Sequence, residues 1–323
     1  MHNTFQSMRT YFHLFGVLLG LVLLSSCSDS SSDITPPAPM PSSVPVSFSA
    51  LAHWDSPQTR LSENATSNSV SFTSGDAIGV FADHNNSTTP NFMNNQKVTF
   101  DGSNWTYEPV KYWPSDEEDK VDFYGYYPYG NKNIKIQATT SRSSLIYVSK
   151  QADTDVLAAV SQGQSFTNNG RTVQLSFVHL LAKVNYTFTS ASAKNHPVIH
   201  AMKYEIPSEG TCHFTLPLSF DVVSDTKYEL ERFVSKSEGV VIDEPKKQIE
   251  EFTAYVLPCS ISEFSVSINN IFVKYKPALA VTLKAGCQYT INFVISGDED
   301  SSFFITSYSL WETDGQTHEG ELK

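Results

Sequence analysis

Three features of this sequence have chemistry to offer: a histidine set in an apolar run, a run of acids and four cysteines. His179 sits in the apolar run Phe177-Val178-His179-Leu180-Leu181-Ala182. An imidazole can act as a general base or a metal ligand near neutral pH. It becomes a site only when a charge partner joins it in a cleft, and the neighbouring residues supply none. His179 is therefore read as a hydrogen-bonded structural residue. The run Asp116-Glu117-Glu118-Asp119 has the charge for calcium but lacks the alternating ligands and the glycine of a calcium loop, so it is read as a solvated loop. Cys212, Cys259 and Cys287 are too far apart for a zinc site. They allow one disulfide in any of three pairings, or three free thiols. No Gly-x-Ser-x-Gly, His-Glu-x-x-His or phosphate-cradling glycine loop occurs. Trp105, Tyr112 and Trp113 have the ingredients of a sugar platform, but their strand-like spacing places them in a core. No catalytic residue, metal or cofactor is expected, and the chain is not read as an enzyme.

Cys27 belongs to a different context. The apolar run Leu14–Leu24 is preceded by a single charge, Arg9, and followed by Leu24-Ser25-Ser26-Cys27. A basic start, a short apolar core and small residues make a secretory signal, here residues 1–26, and the run is short for a transmembrane helix. A cysteine directly after the small residues resembles the bacterial lipobox, which implies cleavage before Cys27 and diacylation of its thiol. The polar run Ser28-Asp29-Ser30-Ser31-Ser32-Asp33 resembles the surface-export signal of Bacteroidetes lipoproteins. Residues 27–43, rich in Ser, Pro and Asp, read as an extended tether. The chain carries 34 acidic and 22 basic residues, a formal charge of −12, which argues against nucleic acid and against direct binding to anionic bilayers. A membrane would be reached through the lipid, for which several acyl chains suffice. The expected location is the outer face of the outer membrane.

The elements that position these residues are short alternating runs of β-branched and aromatic residues. Val44, Val46, Phe48 and Ala50 share one face of a first strand, which Pro45 marks as an edge or terminal strand. Further strands are read at 77–82, 121–127, 173–178, 182–188, 239–242, 252–257, 264–268, 279–283, 289–295 and 303–311. The 121–127 strand, apolar on both faces, should be covered on both sides. Turns fall at Gly75-Asp76, Asn85-Asn86, Asp101-Gly102, Gly130-Asn131 and Asn168-Asn169. Residues 156–160, after Asp153 and Asp155, suggest one helical turn. With 323 residues, 12% of them aromatic, the chain reads as all-β, with two packed-sheet domains at 44–195 and 196–323.

Six pieces in order resemble the fimbrillin family of Bacteroidetes lipoproteins. They are Gly75-Asp76-Ala77-Ile78-Gly79-Val80-Phe81; Trp105-Thr106; Tyr112-Trp113-Pro114; Phe123-Tyr124-Gly125-Tyr126-Tyr127-Pro128; Gln151 with Asp155-Val156-Leu157-Ala158-Ala159; and Phe177 through Val184. The resemblance implies two tandem transthyretin-like β-sandwiches in a fimbrial subunit or accessory tip adhesin assembled by strand exchange. It also implies a maturation protease that cuts after arginine or lysine and frees the first strand. Here the cut would fall at Arg60-Leu61, in the polar, proline-containing stretch 55–64, and release Val44, Val46, Phe48 and Ala50. The groove would then take a strand from another fimbrial subunit. The candidate donor is the last strand, with Phe304, Tyr308 and Leu310 on one face. The polar stretch after it suggests a poor donor, hence a tip or accessory position. The other reading is a non-polymerising surface lipoprotein that binds glycan or a host protein.

Overall fold

The first strand lies inside a large sheet, hydrogen-bonded in parallel to a strand more than a hundred residues away. In the computed structural model the described residues are 43–53, 69–87, 90–116, 118–137, 144–148, 154–167, 171–191, 196–215, 217–234, 237–243, 248–297, 303–312 and 317–321. Residues 39–323 belong to one compact unit. The described residues contain twenty-two strands and no α-helix. The all-β expectation is met.

In chain order the first ten strands are β1 (Ser47–His53), β2 (Ser69–Val70), β3 (Ala77–His84), β4 (Met93–Phe100), β5 (Trp105–Thr106), β6 (Val121–Tyr127), β7 (Ile134–Gln137), β8 (Ser144–Val148), β9 (Leu157–Gln164) and β10 (Thr172–His179). Then come β11 (Ala182–Ser190), β12 (Val198–His213), β13 (Ser219–Phe233), β14 (Val240–Val241), β15 (Gln248–Val256) and β16 (Cys259–Ile261). The last are β17 (Phe264–Ile268), β18 (Ile271–Tyr275), β19 (Val281–Leu283), β20 (Gln288–Gly297), β21 (Phe303–Glu312) and β22 (Thr317–Glu321). An eight-stranded sheet runs β2-β1-β10-β9-β6-β3-β4-β5. A five-stranded sheet runs β15-β11-β20-β21-β22, and a third runs β18-β17-β12-β8-β7, with β13 and β14 also pairing with β12. β16 and β19 make a two-stranded sheet.

Three apolar clusters fill the interior. Ile78, Val80, Val121, Phe123, Leu175 and Phe177 form one, together with Phe48 of β1 and Val46 just before it. Tyr186, Phe188, Met202, Phe264 and Phe293 belong to another. Between them lie Phe81, Tyr124, Tyr126, Ala158, Cys212, Phe214 and Leu257. Alternate residues of β3 and β6 point into different clusters, so both strands are buried almost throughout, as their apolar runs require. Gly79 sits opposite Tyr126 in the β3–β6 ladder. A Cβ there would lie 2.1 Å from the Tyr126 ring, so only glycine admits that ring.

Several expectations need correction. Residues 157–160 belong to β9 rather than a helical turn, because Val156 and Leu157 to Ala159 are buried between layers and complete the eight-stranded sheet. Leu279 is 80% exposed, and the strand begins only at Val281. β12 and β13 form a long hairpin that the alternation did not reveal; Pro207 and Gly210 interrupt β12, and the register shifts between Pro207 and Glu209. The sheets also reach across the expected boundary near residue 195: β11 pairs with β15 and β20, and β8 pairs with β12.

Candidate assembly groove around the first strand

β1 is held by one long edge and one short clasp. Its seven residues pair in parallel with β10, from Ser47 opposite Thr172 to His53 opposite Val178. Parallel partners cannot be joined by a tight hairpin, so this ladder depends on a strand brought from far along the chain. On the other side Val46 N donates to Lys111 O (2.8 Å) and Trp113 N to Val44 O (3.0 Å). Tyr107 adds a side-chain tie, its hydroxyl donating to Val46 O at 2.8 Å. Burial pushes the Tyr107 hydroxyl up to about 12, so it remains a donor at physiological pH. β2 covers only Ala52 and His53.

The period-two pattern decides which face is buried. Val46, Phe48 and Ala52 are buried and Val44 and Ala50 are half-buried, whereas Leu51 is 45% exposed. Phe48 packs edge-on against Tyr107 and Phe123, with centroids 5.6 and 5.8 Å away. Taking β1 away would thus uncover an apolar slot and the free edge of β10.

Trp113 is buried beneath this clasp and its indole N–H donates to Arg171 O at 3.3 Å, as a core reading requires. Trp105 is half-buried against Phe72 and Phe100. Tyr112 departs from expectation: it is 50% exposed, because its backbone bridges Pro45 at the margin of the sheet. The Gly75-Asp76 turn forms as read, with Gly75 at φ 98° and Asp76 Oδ2 accepting from Thr73 N at 2.7 Å.

Beyond the last residues of β1 lies a cavity of about 390 Å3, lined by Ala52, Phe72, Tyr127, Leu157, Tyr255 and the pair Asp155–His179, among others. His179 Nδ1 meets Asp155 Oδ2 in a close contact, and both side chains are largely enclosed. The expectation that His179 has no charge partner is thereby corrected. The pair spans 24 residues and is made by β10 folding back beside the start of β9, where Leu180 N donates to Val156 O at 2.9 Å. Burial raises the Asp155 carboxyl above its ordinary range, against the pull of His179, the Val156 amide and Lys183. Tyr127 donates to Asp76 Oδ1 at 3.0 Å, and its hydroxyl is pushed up to about 12 by burial and then by that aspartate.

Other expected residues lie elsewhere. Asp119 pairs with His84 at 3.0 Å and accepts from Asn85 Nδ2 at 3.1 Å, so this acid anchors a turn. Cys212, Cys259 and Cys287 are not bridged by disulfides; burial pushes the Cys212 and Cys259 thiols up to about 12. Cys27, Arg60 and Leu61 fall outside the described residues. β21, which holds Phe304, Tyr308 and Leu310, is paired on both sides, by β20 and β22. Its register against β20 shifts between Ile305 and Ser307.

The described residues thus form an all-β fold with its first strand paired in parallel to β10. The fimbrillin-like family model matches residues 59–307, and the chain belongs to that family. The fimbrium subunit Fim1C of Phocaeicola vulgatus is 28% identical over 154 residues, 39% of this chain and 39% of that protein. A candidate fimbrium tip subunit Fim1C of Bacteroides ovatus is 40% identical over 73 residues, 23% of this chain and 13% of that protein. The matched regions thus span well under half of these relatives. The fold is similar to that of a fimbrial protein from Bacteroides vulgatus, with TM-score 0.56 and 15% identity, covering 75% of this chain and 92% of that one. It is also similar to that of a candidate cell adhesion protein from Bacteroides uniformis, with TM-score 0.52 and 16% identity, covering 85% and 98%.

Proposed function

We propose that this protein is a fimbrial subunit or accessory tip adhesin, exported as a lipoprotein on Cys27, cut after Arg60 and assembled by strand exchange. The observation that carries this reading is the seating of β1: seven residues in parallel register with β10, the inner face buried, and only a short clasp opposite. A strand held this way leaves, once cut, a slot that only another period-two strand can fill. The role is structural rather than catalytic. Two tandem transthyretin-like sandwiches, joined through the apolar layer that contains Phe81, Tyr124 and Phe214, fit the cluster pattern. The similarity to a tip subunit favours a terminal or accessory place, as does the polar stretch after β21. The partners are then other fimbrial subunits, an arginine-specific protease and an adhesion target, with the outer membrane reached through the lipid and the fimbrium reached after maturation.

The test uses the soluble chain from Ser28 onward, treated briefly with an arginine-specific protease. The new N terminus is sequenced and the product run on a gel without boiling. A start at Leu61 with loss of β1 and a multimer ladder is the expected result. A start at Leu61 without a ladder, but with capture of a strand from another subunit, supports the acceptor-only tip. A chain that resists cutting and stays monomeric, yet binds glycan, supports the non-polymerising surface protein instead.

A further inference from the structure

A second pocket lies where β4 meets the segment that joins β6 to β7, and no residue of β1 lines it. It holds about 260 Å3, and its walls are Asn95, Tyr126, Tyr129, Asn131, Ile134 and Ile136, with Gly130 at the turn. No charged side chain is among the described residues that line it, although the chain as a whole carries a formal charge of −12. The cavity beside β1 differs in this respect, since Asp76, Asp155 and Lys183 line it.

Two amides beside this pocket have their orientation fixed. Asn95 stands at φ 50° where the register of β4 shifts against β3, and its Oδ1 accepts from the Tyr126 hydroxyl at 2.8 Å. Burial, and then Tyr129, pushes that hydroxyl up to about 12, so it stays a donor. Asn131 Oδ1 accepts from the Asn133 amide at 2.8 Å, while its backbone oxygen accepts from Ile134 N at 3.0 Å. Oxygen and nitrogen occupy opposite arms of a side-chain amide, so holding the two oxygens also aims the two nitrogens. Neither Nδ2 donates to another described residue, which leaves two oriented, uncharged donor groups at the pocket. Tyr129, Ile134 and Ile136 are half-buried and supply an apolar wall. The Tyr129 ring is steadied by the Tyr126 ring at 6.4 Å and the Lys97 ammonium at 5.9 Å.

We propose that this pocket binds one uncharged pyranose residue, the exposed end of a glycan. The hydroxyl and ring oxygens of the sugar accept from Asn95 Nδ2 and Asn131 Nδ2, and its C–H face packs on the wall of Tyr129, Ile134 and Ile136. A charged ligand would find no counter-ion among the lining residues and would lose its hydration without return. The volume falls just below the roughly 300 Å3 at which pockets for drug-sized ligands begin, which restricts the site to a single ring. This inference deepens the adhesin part of the proposed function, on which it rests, by naming the class of target.

The test presents the mature chain, from Ser28 onward, to an array of neutral glycans, charged glycans and host matrix proteins, and titrates the neutral glycan it retains best. Asn95→Asp and Asn131→Asp keep the oxygens that Tyr126 and Asn133 hold but replace each donor by an acceptor. Each should weaken binding of the neutral glycan about tenfold while the thermal unfolding midpoint stays unchanged. Tyr129→Leu leaves both amides in place and should weaken binding to a similar degree, which keeps the test readable where an aspartate variant fails to fold. Neutral-glycan binding that survives these substitutions in folded protein overturns this inference and leaves the adhesin reading standing. Retention of charged glycans or proteins alone has the same consequence. Retention of nothing in any of the three classes overturns the adhesin reading and the inference with it.

Discussion

Phe48→Ala probes the docking of β1 most sharply. The ring is 6% exposed and meets Tyr107 and Phe123 edge-on. Truncating a buried Phe to Ala costs about 3–5 kcal/mol, the cost rising with the cavity left behind. Two edge-on ring pairs, worth about 0.5–1.5 kcal/mol each beyond area burial, place this site in the upper half of that range, near 4 kcal/mol. Collapse around the site is limited because Tyr107 is tied to Val46 O and Phe123 also packs against Trp113 and Phe92. Guanidinium denaturation of the intact chain should show the loss directly. In the cut chain, where β1 is held without a covalent link, the same 4 kcal/mol corresponds to about a thousandfold weaker retention of the strand. Leu51→Ala is the internal control, since Leu51 lies on the same strand but is 45% exposed. Its effect should stay within about 0.5 kcal/mol. A loss below about 1 kcal/mol for Phe48→Ala, or equal losses for the two variants, would refute the claim that the inner face of β1 holds it in place.

Two other predictions concern the layers around the groove. Gly79→Ala puts a Cβ 2.1 Å from the Tyr126 ring, whose hydroxyl is held by Asn95 Oδ1 at 2.8 Å. A destabilisation of about 1–3 kcal/mol is expected in the same denaturation assay, and Tyr126→Leu in the Gly79→Ala background should recover part of it. Burial raises the folded-state Asp155 carboxyl above its ordinary value, so its contribution to stability is full below that ordinary value and is lost as pH rises through the folded one. The stability difference between wild type and Asp155→Asn should therefore fall as pH climbs from the ordinary aspartate range; a difference that rises with pH would overturn this assignment.

Much of the groove was legible because its signals are local. Val44, Val46, Phe48 and Ala50 alternate on one short strand, and that alternation corresponds to the buried face. Gly75-Asp76 marks its turn because the glycine accepts a positive φ and the carboxylate reaches the Thr73 amide. What stayed hidden depends on contacts between distant residues. Asp155 lies 24 positions from His179, and only the packing of β9 beside β10 brings them together. Asp153 and Asp155 resemble helix-starting residues, yet the small side chains Ala158 and Ala159 fit between covered layers and complete a strand. The strand-like spacing of Tyr112 with Trp105 and Trp113 points to the core, but the bridge to Pro45 leaves it at the margin. The β12–β13 hairpin is hidden in the sequence because a proline and a glycine interrupt one of its strands.

The most direct test of the account locks β1 in place. Ser49 and Gln174 are register partners in the β1–β10 ladder, and neither is buried, so Ser49→Cys with Gln174→Cys can close a disulfide without disturbing the core. The doubly substituted mature chain is cut after Arg60 in oxidised and in reduced form, and assembly is followed on unboiled gels with the partner subunits present. Release of β1 is required by the account, so multimers should appear only when the disulfide is reduced. Equal assembly by the oxidised form, with the closed bond verified by mass, would contradict it.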